Sequence, residues 1–560
     1  MIENKNPGIR DSIPELMGGF GNLLREDPQR PQTNWLRPVH VTTAVRSTYV
    51  VPGDWPGKPD AWFADDAPPY KRRQQNNVEY FIDGEATYEA MVEAMETATG
   101  PDHFIVIIGW TLHVDFTLSK TGNRCPSSQR PLLKVLKERV AQGVLVRVLL
   151  YYNPLDPSVT GRPVVLKSKE ALDELEMPHP PKPAVSKIRC LVDDAVRTAG
   201  AHHQKIVLVY GSEGLIGFLG GIDFNPDRVI PTKVRVLIGP GIIDAHGPLH
   251  DVHARVTGDA ADDLMVLATN RWNYAKPYSL AHEIEAGGPT GVRFVDYPTG
   301  RDMDDLSVLL RRARAGATSP SWPHHVVQLG QTVGNPELAK VQGNGVWPIV
   351  RHGIRNAKKF IYVEDQYLWS VDAAEELGRA AGRLWHVTIL LPPDDPLGAS
   401  ARHRALKRMK EVAGAAAGKI RIYVIREAVH QYVHAKMFIF NDEYVIIGSA
   451  NSNNRGYFYD SEVNAGIADL DWQAESGARG GKWWFVELNL AHKLRIQLWA
   501  EHLRLQPDSL VDGVAAEVHW RHPPPHARIE PYTIGPDKRQ WHAHEYDASY
   551  FVNPITDPRP

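Results

Sequence analysis

Cysteine is nearly absent: 560 residues contain only Cys125 and Cys190. This excludes a multi-disulfide framework and a cysteine-built zinc cluster. The two read as small buried apolar groups, in keeping with a reducing compartment. Long hydrophobic runs are also missing. Stretches such as Phe104–Trp110 fall far short of the roughly 20 residues that cross a bilayer. The first residues have no basic start leading into an apolar core, so no cleavable signal peptide is expected, and synthesis in the cytoplasm is. An excess of one charge is lacking too. Lys+Arg (63) and Asp+Glu (66) leave a formal net charge of −3, with no basic stripe to attract nucleic acid. What remains is an ordinary mixed composition. A hydrophobic share of 43% can fill several cores, and about 150 residues per domain gives two to four domains.

Residues 1–75 are rich in Pro, Asp, Arg and Asn and read as an irregular N-terminal extension. Helix-like and strand-like segments then alternate through 76–275: a helix over Glu85–Thr99, a strand at Phe104–Trp110, a helix over Leu132–Gln142 and a strand at Val144–Tyr151. The Pro-rich run at Met177–Pro183 is a surface loop. Residues 276–321 form a connecting region, 322–505 a second alternating run, and 506–560 a mostly irregular tail. Such alternation predicts α/β layers around a largely parallel or mixed sheet.

An internal repeat organises the chain. His203–Asn225 reads HQKIVLVYGSEGLIGFLGGIDFN, and His434–Asn453 reads HAKMFIFNDEYVIIGSANSN. Each opens on His-x-Lys, runs through an apolar strand, a polar turn and a second apolar strand, and closes on Gly-Gly or Gly-Ser with an Asp or Asn two residues later. Side chains two apart on a strand share a face, which puts His203 beside Lys205 and His434 beside Lys436. The glycine turns allow close backbone approach to an anion. Asp223, Asn225, Ser449, Asn451 and Asn453 add hydrogen-bonding groups.

These residue types suit a phosphodiester. Its cleavage needs positive charge on the non-bridging oxygens, a nucleophile and a proton donor for the leaving alcohol. Two lysines meet the first need without a metal, and two imidazoles meet the others. Neither copy holds the full set, so the copies are expected to face each other across a pseudo-twofold axis. His246, His250 and His253 lie close in sequence, but no further ligand cluster accompanies them, and no metal or cofactor is called for. Trp272 reads as packing.

On these motifs the chain resembles the phospholipase D superfamily. GGIDFNPDR (Gly220–Arg228), LHDVHARVTGDAADDLMVLATNRWN (Leu249–Asn273), GSANSNNRGYFYDSE (Gly448–Glu462), VVQLGQT (Val326–Thr332), FIYVEDQYLW (Phe360–Trp369) and Gly109–Trp110 carry the likeness, over about residues 76–505. It implies an α/β fold: two pseudo-twofold-related α/β/α sandwich domains with mixed central sheets, packed around one shared active site. It further implies attack by His203 to give a phosphohistidine and proton transfer by His434. Lys205, Lys436, Asn225, Asn453 and Ser449 would hold the phosphate. Behind them would stand Asp223 and Asn451, with Asp251 orienting His203 and Glu462 orienting His434. One departure stands out: five residues after each lysine, where the superfamily carries Asp, this chain has Tyr210 and Asn441, with Asp442 one step late.

The expected activity is phospholipase D hydrolysis of glycerophospholipids, or transfer of the phosphatidyl group to an alcohol. The expected partner is phospholipid met peripherally at a membrane surface by a monomer, with no nucleic acid partner. A nucleic-acid phosphodiesterase and an inactive lipid-binding module are the competing readings. A third, cardiolipin synthesis, usually comes with N-terminal membrane spans. Superfamily toxins delivered by specialised secretion also lack a signal peptide. A delivered antibacterial effector with a secretion-system or immunity partner therefore stands beside a cytoplasmic enzyme.

Overall fold

Runs such as FIVIIG at 104–109 and YVIIG at 444–448 are buried at every position, the pattern of strands covered by helices on both faces. In the computed structural model these strands lie deep in one mixed sheet. The structure describes residues 46–47, 59–67, 69–115, 131–152, 164–175, 187–193, 195–197, 200–229, 233–238, 241–246, 248–275, 305–315, 324–393, 399–429, 431–469, 486–487 and 489–532. The Pro-rich loop at 177–183, Cys125 and the end of the chain lie outside them.

The first half contributes β1 (Arg73–Ile82), α1 (Asp83–Glu96), β2 (Phe104–Gly109), α2 (Leu132–Ala141), β3 (Leu145–Tyr151), α3 (Val164–Glu174), β4 (Ile188–Asp193), β5 (Ile206–Gly211), β6 (Gly214–Gly220), β7 (Val252–Gly258) and α4 (Asp259–Asn273). The second contributes β8 (His325–Thr332), α5 (Val346–Asn356), β9 (Phe360–Asp365), α6 (Val371–Ala381), β10 (His386–Leu391), α7 (Ala399–Ala413), β11 (Ile420–Ile425), β12 (Lys436–Phe440), β13 (Tyr444–Gly448), β14 (Glu462–Asp469) and α8 (Leu490–Leu503), followed by β15 (Ile529–Pro531).

The repeat is topological as well as sequential. From the centre outward the first half runs β1-β7-β6-β5-β2-β3-β4 and the second β8-β14-β13-β12-β9-β10-β11, with β15 added at the outer edge. In each half the three outer repeat strands are parallel and the inner ones antiparallel. β1 and β8 pair antiparallel at the centre, so the fifteen strands make one continuous sheet. The α/β class expected from the sequence is found.

The helices divide by face. α4 and α8 cover one face, in a single core that runs across both halves and includes Trp272, Trp499 and Trp520. The other face is covered separately, by α1–α3 in the first half and by α5–α7 in the second. Residues 507–532 belong to the common core: Trp520 is fully buried and β15 extends the sheet beside β11. No helix among the described residues is long and apolar enough to cross a membrane.

Asn441 accounts for one of the two motif departures. It sits at the far end of β12 from the histidine, at φ 58°, a left-handed conformation that Asn tolerates well. Its Oδ1 accepts the N–H groups of Lys358, Lys359 and Phe360 at 3.2, 2.8 and 3.2 Å. Asp442 pairs with buried Arg495 at 2.5 and 3.0 Å. The position shapes a turn and lies away from the chemistry.

Candidate active site

His203 and Lys205 lead into β5, and His434 and Lys436 open β12. Two short parallel bridges join the halves at these points. His202 pairs with Ser461, and Leu249–His250 pairs with Tyr432–Val433. The same bond follows in both: His203 N–H donates to Ser461 O at 2.8 Å, and His434 N–H donates to His250 O at 2.7 Å. Each histidine is therefore fixed by backbone from the opposite half.

The carboxylates behind the histidines cross over. His203 Nδ1 is 2.9 Å from Glu462 Oε1, and His434 Nδ1 is 2.6 Å from Asp251 Oδ2. This corrects the expected assignment of Asp251 to His203 and Glu462 to His434. The reason is the bridges: each carboxylate directly follows the residue whose carbonyl accepts the opposite histidine's N–H. All four side chains are largely or fully buried.

The Gly-Gly and Gly-Ser turns serve these carboxylates. A methyl group at Gly221 would come within 2.2 Å of Asp251 Oδ1. At the matching position of the second copy, Ser449 donates its hydroxyl to Glu462 Oε2 and accepts Val463 N–H at 3.0 Å. Ser449 is fully buried. Expected on the phosphate, it instead holds Glu462.

Each lysine folds back on its own motif. Lys205 Nζ donates to His203 O at 2.7 Å and lies 3.1 Å from Asp223 Oδ2. Asp223 Oδ1 also accepts Trp110 N–H at 3.0 Å, so Asp223 is the counter-ion of Lys205. Lys436 Nζ likewise donates to His434 O, and its further contacts are His434 Nδ1 at 2.9 Å and the neutral Gln366 Oε1 at 3.2 Å. Burial first, then Lys205 and Arg228, depress Lys436 to about 7 against the pull of Asp251. Burial lowers Lys205 too, with Asp223 and Glu462 opposing.

Burial also holds both imidazoles neutral. His203 falls well below the usual range through burial, then Lys205, Lys436 and Arg455; His434 does so through burial, then Lys436, Arg228, Lys205 and His203. Burial lifts Asp251 to about 6. A neutral ring whose Nδ1–H is given to a carboxylate presents the Nε2 lone pair, the form a nucleophile or base needs.

Asn453 Oδ1 accepts Gly456 N–H at 2.7 Å, leaving its amide nitrogen for a ligand. The Asn225 side chain makes no hydrogen bond among the described residues. Asn451 is buried with Oδ1 unpartnered. Two arginines were missed by the sequence reading. Arg228 and Arg455 close the two glycine motifs, and each opposes protonation of the opposite half's histidine. Arg455 is fixed by Asp460 at 2.9 and 3.0 Å, and Arg228 by Asp227 at 3.2 Å. Their shared place at the end of a repeated motif was the available signal. Trp110 meets the His203 ring edge-on at 6.1 Å. Neither His250 nor His253 points toward the lysines' phosphate side: His250 faces carboxylates, and His253 Nδ1 faces Ile222 N at 3.3 Å.

A duplicated α/β fold with one histidine–lysine pair from each copy, interlocked by crossed carboxylates, defines a class. Residues 350–476 match the family described as cardiolipin synthase, PLD-like domain. Phospholipase D alpha 2 of Oryza sativa subsp. japonica is 24% identical over an alignment covering 76% of this chain and 65% of that protein. Phospholipase D alpha 1 of Ricinus communis is 23% identical, with the same coverage of 76% and 65%. Phosphatidylserine synthase from Haemophilus influenzae Rd KW20 aligns at a TM-score of 0.45 and 14% identity, covering 78% of this chain and 95% of that one. The chain thus spans about 65% of the length of these plant relatives. Together the family match and the plant relatives support membership of the phospholipase D superfamily.

Proposed function

We propose that this chain is a phospholipase D, cleaving the distal phosphodiester of a glycerophospholipid to phosphatidate and a free head group. The observation that carries the reading is the pair of neutral imidazoles, each oriented by a carboxylate from the other half, between two buried lysines.

His203 Nε2 attacks phosphorus as the bond to the head-group oxygen breaks, and the phosphoryl group passes to the ring. Lys205 and Lys436 offset charge on the non-bridging oxygens, with Asn225 and Asn453 as further donors. The anionic substrate relieves the lysines' field on His434, which then takes up a proton and delivers it from Nε2 to the leaving alkoxide. In the second half-reaction neutral His434 removes a proton from water, the new oxygen bonds to phosphorus, and the P–N bond to His203 breaks. An alcohol in place of water gives transphosphatidylation. The lipid rather than nucleic-acid substrate is favoured by the similarity to plant phospholipases D along most of the chain and by the net charge of −3.

Purified protein is to be tested with EDTA present on vesicles of phosphatidylcholine, phosphatidylethanolamine or phosphatidylglycerol, and on single- and double-stranded DNA. Head-group release without DNA cleavage is expected; the reverse overturns the lipid reading. His203→Ala and His434→Ala should each lower turnover by roughly 10³-fold or more, and full activity in either would refute a shared site.

A further inference from the structure

His250 precedes Asp251 and has no part in the mechanism above. Its ring is fully buried and each nitrogen faces a carboxylate: Nδ1 lies 2.9 Å from Asp83 Oδ1, and Nε2 lies 3.0 Å from Glu364 Oε2. Glu501 Oε1 is 3.9 Å from Nδ1. Asp83 belongs to the first half, at the β1–α1 junction; Glu364 on β9 and Glu501 on α8 belong to the second. The Asp83 and Glu364 contacts are ion pairs at close range without the alignment of a hydrogen bond. Charge decides between the forms: a neutral imidazole turns one N–H and one lone pair toward the two carboxylates, whereas an imidazolium turns a proton toward each.

The charge count agrees. Asp83, Glu364 and Glu501 converge here, and Arg528 is committed to Glu501. Glu364 Oε1 also accepts from Tyr362 Oη at 2.6 Å and meets His502 Nε2 at 2.9 Å. Without a cation at His250, two further carboxylates would share a largely buried pocket. Burial alone lowers His250, but Asp83, Glu364 and Glu501 together raise it well above the ordinary histidine range. His202, the buried neighbour of His203, differs: its Nε2 meets one carboxylate, Asp193 at 3.1 Å, together with Arg271 Nη1 at 3.3 Å, and burial and Arg271 lower it against the pull of Asp193.

The same residue holds both handles on His434. Its carbonyl accepts His434 N–H at 2.7 Å, and the next residue, Asp251, meets His434 Nδ1. Asp251 is tied in turn to Asp83, by Asp251 N to Asp83 Oδ1 at 3.1 Å and by Asp83 N to Asp251 O at 2.8 Å.

We propose that His250 is a permanently charged imidazolium strut, bridging Asp83 of one half and Glu364 of the other, and that it acts as a positioning residue for His434. The positioning role rests on the reading of His434 as the proton-transfer group. His203 is held elsewhere, by Ser461 and Glu462, so the strut bears on one half-reaction more than the other. The donor set His250, Glu364 and His502 also lies within 4.8 Å, which makes a bound metal the competing occupant. Tyr362 and His502 already occupy Glu364 Oε1, which favours the proton.

Two measurements on the full chain decide it. In ¹⁵N-histidine NMR, with His250 assigned through His250→Gln or, if that variant fails to fold, through Asp83→Asn, both ring nitrogens should stay protonated well above the pH at which an ordinary imidazole titrates. One unprotonated nitrogen, or stoichiometric metal on elemental analysis, overturns the strut. The kinetic test uses bis(p-nitrophenyl) phosphate, whose leaving group needs no proton. In His250→Gln the p-nitrophenolate burst should stay within about twofold of wild type while steady-state turnover falls about tenfold or more. Equal loss of both phases, or no loss in either, overturns the positioning role; Asp83→Asn should give the same split. If the wild-type protein cleaves no diester, the proposed function fails while the NMR result still decides the strut.

Discussion

At the scale of single residues, the crossed carboxylates make a sharp prediction. Asp251→Asn and Glu462→Gln each leave the fold's apolar contacts intact but remove the acceptor that fixes a ring's tautomer. Each should lower kcat roughly 10²- to 10⁴-fold, with little change in thermal midpoint. Melting and steady-state kinetics on the same preparations check this; a variant that keeps full activity would remove its carboxylate from the mechanism. The pH profile follows from the buried carboxylates on the acid side, Glu462 being pushed well above the usual range by burial as Asp251 is raised, and from the depressed lysines on the alkaline side. Asp251, lifted to about 6, must be ionised to hold His434, so kcat/KM should rise as pH climbs through that value. Lys436, depressed to about 7, must keep its proton to meet the phosphate, so kcat/KM should fall above it. Lys436→Arg, which does not titrate, should move the alkaline limb upward even if overall activity drops.

At the scale of elements, the turn after β12 is the test case. Asn441→Ala would strand three N–H groups and place alanine in a left-handed conformation. A loss of about 1–3 kcal/mol is expected, read as a lower thermal midpoint with kcat little changed below it. This scale also separates what the sequence made legible from what it did not. The segments over Phe104–Trp110, Val144–Tyr151 and Leu132–Gln142 were readable to within a residue or so, because period and glycine punctuation are local signals. The two His-x-Lys strands were readable because the pattern occurs twice. The carboxylate partners were not: they lie 259 and 183 residues from their histidines, and proximity in sequence pointed to the wrong half. Ser449 misled for a related reason. A hydroxyl beside a phosphate-binding motif says nothing of whether it faces the ligand or the carboxylate behind it. β15 was read as tail because three residues, one of them Pro531, carry no periodicity.

At the scale of the molecule, the continuous sheet sets the register between halves. The central β1–β8 pairing has an irregularity between His325 and Val327, and buried Asn76 spans it. Its Nδ2 donates to Arg73 O at 2.8 Å and His325 O at 3.2 Å, and its Oδ1 accepts Ala260 N–H at 2.7 Å. Asn76→Ala should cost about 2–3 kcal/mol and lower activity even well below the melting transition, because the alignment of the halves is what brings each carboxylate to its histidine. Loss of stability with full activity at low temperature would mean that the bridges at Ser461 and His250 align the site by themselves.

The crossing has one more consequence, for the ribosome. His203 waits for Glu462, and Asp251 waits for His434, so no histidine of the pair has its partner until the second motif is made. A nascent or truncated chain that stops short of Glu462 carries a complete first motif without the carboxylate that orients its histidine. The crossed carboxylates thus double as a timing device, since the site is assembled only when both halves are present.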